Sequence, residues 1–124
     1  MTKPNPEKQR LPEDLAKALP IELRDALQHP FRRRILRTLH GDARKLNPSE
    51  FAESELAPCS APCISYHMLA LTHSGLVKVE GSEPTSGTSK HYFSSSVGDR
   101  ELVLTVLQDT EESDNQFLAQ ANAG

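Results

Sequence analysis

Cys59, Cys63 and His67 recur at i, i+4 and i+8, the spacing that stacks side chains along one face of a helix. Two thiolates and an imidazole suit Zn²⁺ or a softer ion. Ser60, however, has the residue type and position of a helix N-cap, which takes Cys59 out of the helical register. Cysteine also packs as a small apolar side chain. The expectation is therefore two structural thiols, no metal ion and no cofactor, with a metal- or thiol-responsive repressor as an alternative. Two Cys this close could form at most one bridge around a very short loop, so there is no disulfide framework. A reducing cytoplasm is the default compartment. His29, His40, His73 and His91 fall at expected helix ends or in an expected hairpin, where capping or packing accounts for them. There is no Gly-rich phosphate loop, nucleophile elbow or recognisable acid pair, and no enzymatic activity is expected.

The elements that carry these residues follow from periodicity and punctuation. A chain of 124 residues suits one domain, and no apolar run approaches the ~20 residues of a membrane span. Residues 1–10 are polar with two Pro and read as a disordered leader without a secretory signal. Leu11, Leu15, Ala18 and Leu19 start a helical period that Pro20 interrupts, and Leu23, Ala26 and Leu27 resume it. Pro30 suits a first helical turn. Phe31, Ile35, Leu36 and Leu39 form the stripe of that helix, and Gly41 ends it. Asn47-Pro48-Ser49-Glu50 is a capping box for a short helix that stops before Pro58. The next helix runs from the Ser60 cap, with Ile64, Met68 and Leu71 as its buried stripe, to Gly75. Alternation then predicts a hairpin of Leu76–Glu80 and Lys90–Ser94, with residues 81–89 as a long tip. Asp99 can cap a last helix carrying Leu102, Val103, Val106 and Leu107, and residues 111–124 read as an acidic flexible tail.

The net charge of −3 is unevenly spread. Residues 24–96 carry nine basic and seven acidic groups, whereas residues 97–124 carry one basic and six acidic. An acidic total argues against tight non-specific nucleic-acid binding but is compatible with a local basic face. Arg32, Arg33, Arg34, Arg37 and Arg44 supply such a cluster.

Two short helices across a Pro-bounded turn, followed by a hairpin, describe a winged helix-turn-helix. Three segments resemble the arsenic-repressor-like (ArsR-type) transcription regulators. His29-Pro-Phe-Arg-Arg-Arg-Ile-Leu-Arg-Thr-Leu39 is similar to their D-P-x-R-R-x-I-L-x-x-L helix. Ser60-Ala-Pro-Cys-Ile-Ser-Tyr-His-Met-Leu-Ala-Leu-Thr-His-Ser-Gly-Leu-Val77 is similar to their recognition helix, S-x-x-T-V-S-Y-H-L-x-x-L-x-x-A-G-L-V. Glu83-Pro-Thr-Ser-Gly-Thr-Ser-Lys-His-Tyr-Phe93 resembles the E-P-x-x-G-x-x-x-H wing of one bacterial branch. The likeness spans about residues 20–107. Leu69 stands where that family commonly has Lys or Arg, and Ser60–Gly75 contains neither. The family's Cys-x-Cys sensor motif after Asn47 is absent. Within the resemblance, Cys59 falls where an aliphatic residue is usually buried, and His67 belongs to the Ser-Tyr-His-Leu pattern.

The resemblance implies a mainly α fold with a small β-hairpin, a winged helix-turn-helix over residues 11–110 including flanking dimerisation helices. It implies a cytoplasmic homodimer that regulates transcription by binding double-stranded DNA in a sequence-specific way. Ser60, Ala61, Pro62, Ser65 and Tyr66 would face bases or phosphates, with Cys63 and His67 beside them. Arg44 and Lys45, before the helix-turn-helix, and Ser89 and Lys90, in the wing, would also contact the DNA, through phosphates or the minor groove. The resemblance also cautions that the arginines after Pro30 often make internal ion pairs. Leu15, Leu19, Leu23, Leu102, Val106 and Leu107 are the expected dimer interface. An effector, small molecule or protein, is compatible with this reading. A winged helix that binds a protein partner, with weak or no DNA binding, is the alternative.

Overall fold

A computed structural model of the chain describes residues 11–41, 45–54, 57–85 and 88–123. The helices are α1 (Glu13–Ala18), α2 (Ile21–Leu27), α3 (Pro30–Gly41), α4 (Pro48–Ala52), α5 (Ala61–His73) and α6 (Glu101–Ala123). Between α5 and α6 lie β1 (Val77–Thr85) and β2 (Thr88–Ser95). The protein is mainly helical with one antiparallel hairpin, as expected. Among the described residues no helix is long and apolar enough to cross a membrane. The expected leader, residues 1–10, lies outside the described residues.

Local chemistry sets the element ends. Pro12 and Pro20 occupy the N-cap positions of α1 and α2, so Pro20 divides one periodic run into two helices. The capping box of α4 is complete: Asn47 Oδ1 accepts from Glu50 N–H at 2.7 Å, and Glu50 Oε1 accepts from Asn47 N–H at 3.2 Å. At the end of α5, Gly75 has φ +83°, a left-handed conformation that a side chain disfavours. Gly75 N–H donates to Thr72 O at 3.0 Å and Leu76 N–H to Leu71 O at 3.1 Å, the paired bonds of a Schellman motif. Its apolar contact follows from Leu71 and Leu76, both fully buried.

In the hairpin, Val79 pairs with Phe93 and Gly81 with Tyr92, so Glu80 is an extra residue and forms a bulge. Leu46 exchanges both backbone bonds with Phe93, at 3.0 and 2.9 Å, which pins the segment before α4 to the sheet. The core gathers Leu27, Ile35, Leu36 and Leu39 with Phe51, Ile64, Met68 and Leu71. Leu76, Val77, Phe93 and Val97 close it from the hairpin side.

Three expectations need correction. Leu104 N–H donates to Arg100 O, so α6 starts one residue later than an Asp99 cap implies. Residues 111–123 are helical rather than a flexible tail. Their charge suggests solvent, but Val103, Val106, Leu107, Thr110, Asp114, Phe117 and Leu118 form a single buried stripe. Leu19, Val106 and Leu107, expected at a dimer interface, are 3%, 0% and 5% exposed within one chain. Of the expected interface set, Leu15 and Leu23 remain half-buried and Leu102 is exposed.

Asp114 ties α6 to α3. Arg33 forks onto it, Nε and Nη2 donating to its two carboxylate oxygens at 2.7 and 2.6 Å. Arg37 Nη2 donates to the same carboxylate at 2.8 Å and to Thr110 Oγ1 at 2.6 Å. Side chains of Arg33 and Asp114 are 1% and 0% exposed, so neither charge has water to fall back on. Asp114→Ala should therefore destabilise the fold by about 3–5 kcal/mol, because it strands a buried guanidinium. Lys17→Ala, which loses an exposed i,i+4 pair with Glu13, should stay within about 0.5 kcal/mol. Urea denaturation midpoints of the two variants against wild type check both values.

Candidate functional site

Helix α5 divides into two faces. Ile64, His67, Met68 and Leu71 are buried against the core. Pro62, Tyr66, Leu69 and His73, at i, i+4, i+7 and i+11, are exposed in one line, with Ser60 exposed ahead of them. Ala61, Cys63 and Ser65 are half-buried on its flanks. Tyr66 is 65% exposed and Leu69 49%, the largest open apolar surfaces on this helix. Ser60 sits at the N-cap but makes no side-chain cap bond, leaving N–H groups of the first turn without that partner.

Of the residues expected on the nucleic-acid face, Ser60, Pro62 and Tyr66 are therefore on the open face, and Ala61 and Ser65 border it. His67 is not. It is 6% exposed and turned toward α3, because the period that exposes Tyr66 buries its neighbour. Lys45 is exposed, with its Nζ 5.5 Å from the ring centroid of Tyr92. Arg44, and the side chains of Ser89 and Lys90, lie outside the described residues.

The structure adds one residue to this face from elsewhere in the chain. Arg32, on α3, donates Nε–H to His67 Nδ1 at 3.1 Å and places its guanidinium 5.9 Å from the centre of the Tyr66 ring. Among the described residues it makes no ion pair. Its neighbours Arg33 and Arg37 are committed to Asp114. The four arginines of α3 thus split, and nothing in the local sequence distinguishes Arg32 from Arg33 and Arg37, which lie off the apolar stripe as it does.

Behind the open face lies a ring cluster. His67 packs against His29 at 4.8 Å, Tyr66 at 5.3 Å and Phe31 at 5.9 Å between centroids. His29 Nδ1 accepts from Phe31 N–H at 3.1 Å. An imidazole that accepts a hydrogen bond has a bare ring nitrogen and is uncharged. Burial, with His29 and Arg32 alongside, lowers the pKa of His67 to about 4, and burial with Arg32 and Arg33 lowers that of His29.

Cys59 and Cys63 are joined by a disulfide, their Cα atoms 5.9 Å apart, so they are not the two free structural thiols expected. Both are half-buried rather than sealed in the core. Although Cys59 precedes the helix, the loop curls back over the first turn of α5 and brings the two sulfurs together. The nearest ligand-bearing atoms of Cys59, Cys63 and His67 all lie within 4.8 Å of one another.

A separate cleft of about 450 Å³ between the end of α3 and the hairpin is lined by His40, Lys45, Lys78, Glu80, Ser94 and Ser95. Its carboxylate, Glu80, is satisfied internally. Glu80 accepts from Ser94 Oγ at 2.7 Å and pairs with Lys78 at 3.6 Å, and His40 meets Ser95 at 3.2 Å. The Ser94 bond, then Lys78, holds the Glu80 carboxyl below its usual range.

Comparison of the chain with protein-family models, curated proteins and solved structures finds no match.

The two uncharged histidines have a stability consequence. The unfolded chain takes up protons near the ordinary histidine value of 6.5, whereas folded His67 does so only near 4. Between those values the unfolded state binds more protons, so stability falls as pH drops from about 6.5 toward about 4. Above that window the contribution is fully present. Urea midpoints should decline across the window in wild type and decline less steeply in His67→Gln.

Proposed function

We propose that the chain is a homodimeric winged helix-turn-helix regulator of ArsR-like type that binds specific double-stranded DNA and has no catalytic role. In this reading α4 and α5 are the helix-turn-helix and the β1–β2 hairpin is the wing. The observation that carries it is the open line of α5, Ser60, Pro62, Tyr66 and Leu69, with Arg32 brought alongside. A helix presenting hydroxyls at its N-terminal turns can donate to base edges and phosphates in a major groove. Its own first-turn N–H groups favour a phosphate. Arg32 supplies the cation that the Ser60–Gly75 segment lacks.

The exposure of Tyr66 and Leu69 favours a second reading, in which the same face binds a protein partner. The two readings separate in a salt-titrated binding assay on genomic DNA fragments. A DNA regulator retains specific fragments at salt that removes non-specific binding. Tyr66→Ala should then weaken the specific complex by about 1–3 kcal/mol, and Arg32→Gln should reduce the salt slope by about 1. No specific fragment, or equal affinity for the Tyr66→Ala variant, selects the protein-binding reading.

Dimerisation in this reading uses the outer surfaces of α1, α2 and α6, whose exposed apolar residues include Ile21 at 61% and Leu102 at 44%, with Leu15 and Leu23 half-buried. A dimer reads two half-sites about one helical turn, roughly 34 Å, apart. Light scattering should give twice the 13.7 kDa chain mass, and Leu102→Asp should return it to that mass. A wild-type monomer rejects the dimer. Val106→Asp is no test of assembly, since Val106 is fully buried and its substitution attacks the core.

A further inference from the structure

We propose that the chain, once its Cys59–Cys63 bond is reduced, holds a borderline-soft divalent cation such as Zn²⁺ between those two thiolates and the His67 imidazole. The donor set and its geometry carry the inference. Two sulfurs and a ring nitrogen from the α4–α5 loop and the first two turns of α5 lie within 4.8 Å of one another. Ligand atoms on a tetrahedral zinc are roughly 3.6–3.8 Å apart, from Zn–S and Zn–N lengths of about 2.3 and 2.0–2.1 Å. The longest edge therefore needs to close by only about 1 Å. Opening the disulfide separates the sulfurs toward that spacing rather than away from it. All three groups belong to one short stretch of chain, so no distant element has to move. The fourth position falls to water or to an added ligand.

The chemistry balances with a dithiol as reductant. The dithiol becomes a cyclic disulfide and the Cys59–Cys63 bond becomes two thiols. Binding the cation then releases one proton from each thiol, two per ion. His67 contributes a lone pair, and the buried ring is already uncharged because it accepts from Arg32.

That last bond makes the site distinctive. A neutral imidazole has one bare nitrogen and one N–H. If Nδ1 binds the cation, its lone pair is used; if Nε2 binds it, Nδ1 must carry the proton. Either way Nδ1 can no longer accept from Arg32, so loading the site breaks the 3.1 Å Arg32–His67 bond. Arg32 is thus a competitor for His67 as well as a neighbouring positive charge. The cation site is coupled to a residue of the open α5 face without depending on what that face binds.

The test is titration of the full chain with Co²⁺, followed by displacement with Zn²⁺. Dithiol-reduced wild type should bind one Co²⁺ and show the visible bands of tetrahedral thiolate ligation, with two protons released per ion. The oxidised protein, Cys63→Ser and Cys59→Ser should not show those bands. His67→Gln should bind at least about tenfold more weakly, and Arg32→Gln several-fold more tightly. Circular dichroism confirms that each variant is folded, and the Arg32→Gln gain cannot arise from misfolding. Absence of the bands in reduced, folded wild type overturns the proposal. So does a Co²⁺ affinity unchanged by His67→Gln, which leaves only a two-thiol surface chelate.

Discussion

A buried carboxylate between two arginines holds this molecule together. Asp114 has no exposed surface and accepts three charge-assisted bonds from Arg33 and Arg37. Arg33 also donates Nη1 to Leu27 O at 2.7 Å, and Arg37 donates Nε to Leu107 O at 2.9 Å. One cluster thereby joins the end of α2, the middle of α3 and two turns of α6. Its desolvation cost is large, and the constraint lies in the asymmetry: Asp114 supplies the buried counter-charge to both guanidiniums, and without it they are stranded. This makes the position of α6 a matter of specific geometry as well as of apolar burial.

The same helix α3 does different work on its other side. Arg33 and Arg37 turn toward α6, while Phe31 and Arg32 meet the ring of His67 on α5. Helix α3 is therefore the common support of the core, the acidic helix and the candidate face. The buried side of α5 rests on it, and the exposed side receives a guanidinium from it. His67 sits where these two helices meet and packs against Tyr66 at 5.3 Å, with Cys63 one turn earlier on α5. A change in the bonding of His67 thus reaches the open face through one hydrogen bond rather than through rearrangement of the core.

Much of the architecture is legible in the residues. The Asn47–Glu50 box, Pro30 in a first turn and Gly75 at a helix end act through bonds between near neighbours, and each appears where its local chemistry places it. The alternation after Gly75 announces the hairpin, although the bulge at Glu80 depends on pairing with β2. The acidic C-terminal segment misleads. Its charge density resembles a solvated tail, and the one carboxylate that matters, Asp114, is identified only by arginines 77 and 81 positions away. Local periodicity contains Phe117 and Leu118 but gives no account of what buries them.

The candidate site divides in the same way. Sequence by itself determined the 3.6-residue stripe of α5, and with it the exposure of Pro62, Tyr66 and Leu69 and the burial of Ile64, Met68 and Leu71. These follow from a helix with one apolar face, whatever packs against it. Tertiary structure decided the rest: which of four arginines reaches Tyr66, that His67 turns inward to meet His29 and Arg32, and that Cys59 meets Cys63 although it lies outside the helix. It also buried Leu19, Val106 and Leu107 within one chain, where an amphipathic pattern alone cannot say whether a stripe faces its own core or a second copy. The physical reason is common to all of these. Periodicity specifies which side of an element is apolar, while the identity of its partner is set by contacts between residues far apart in the chain.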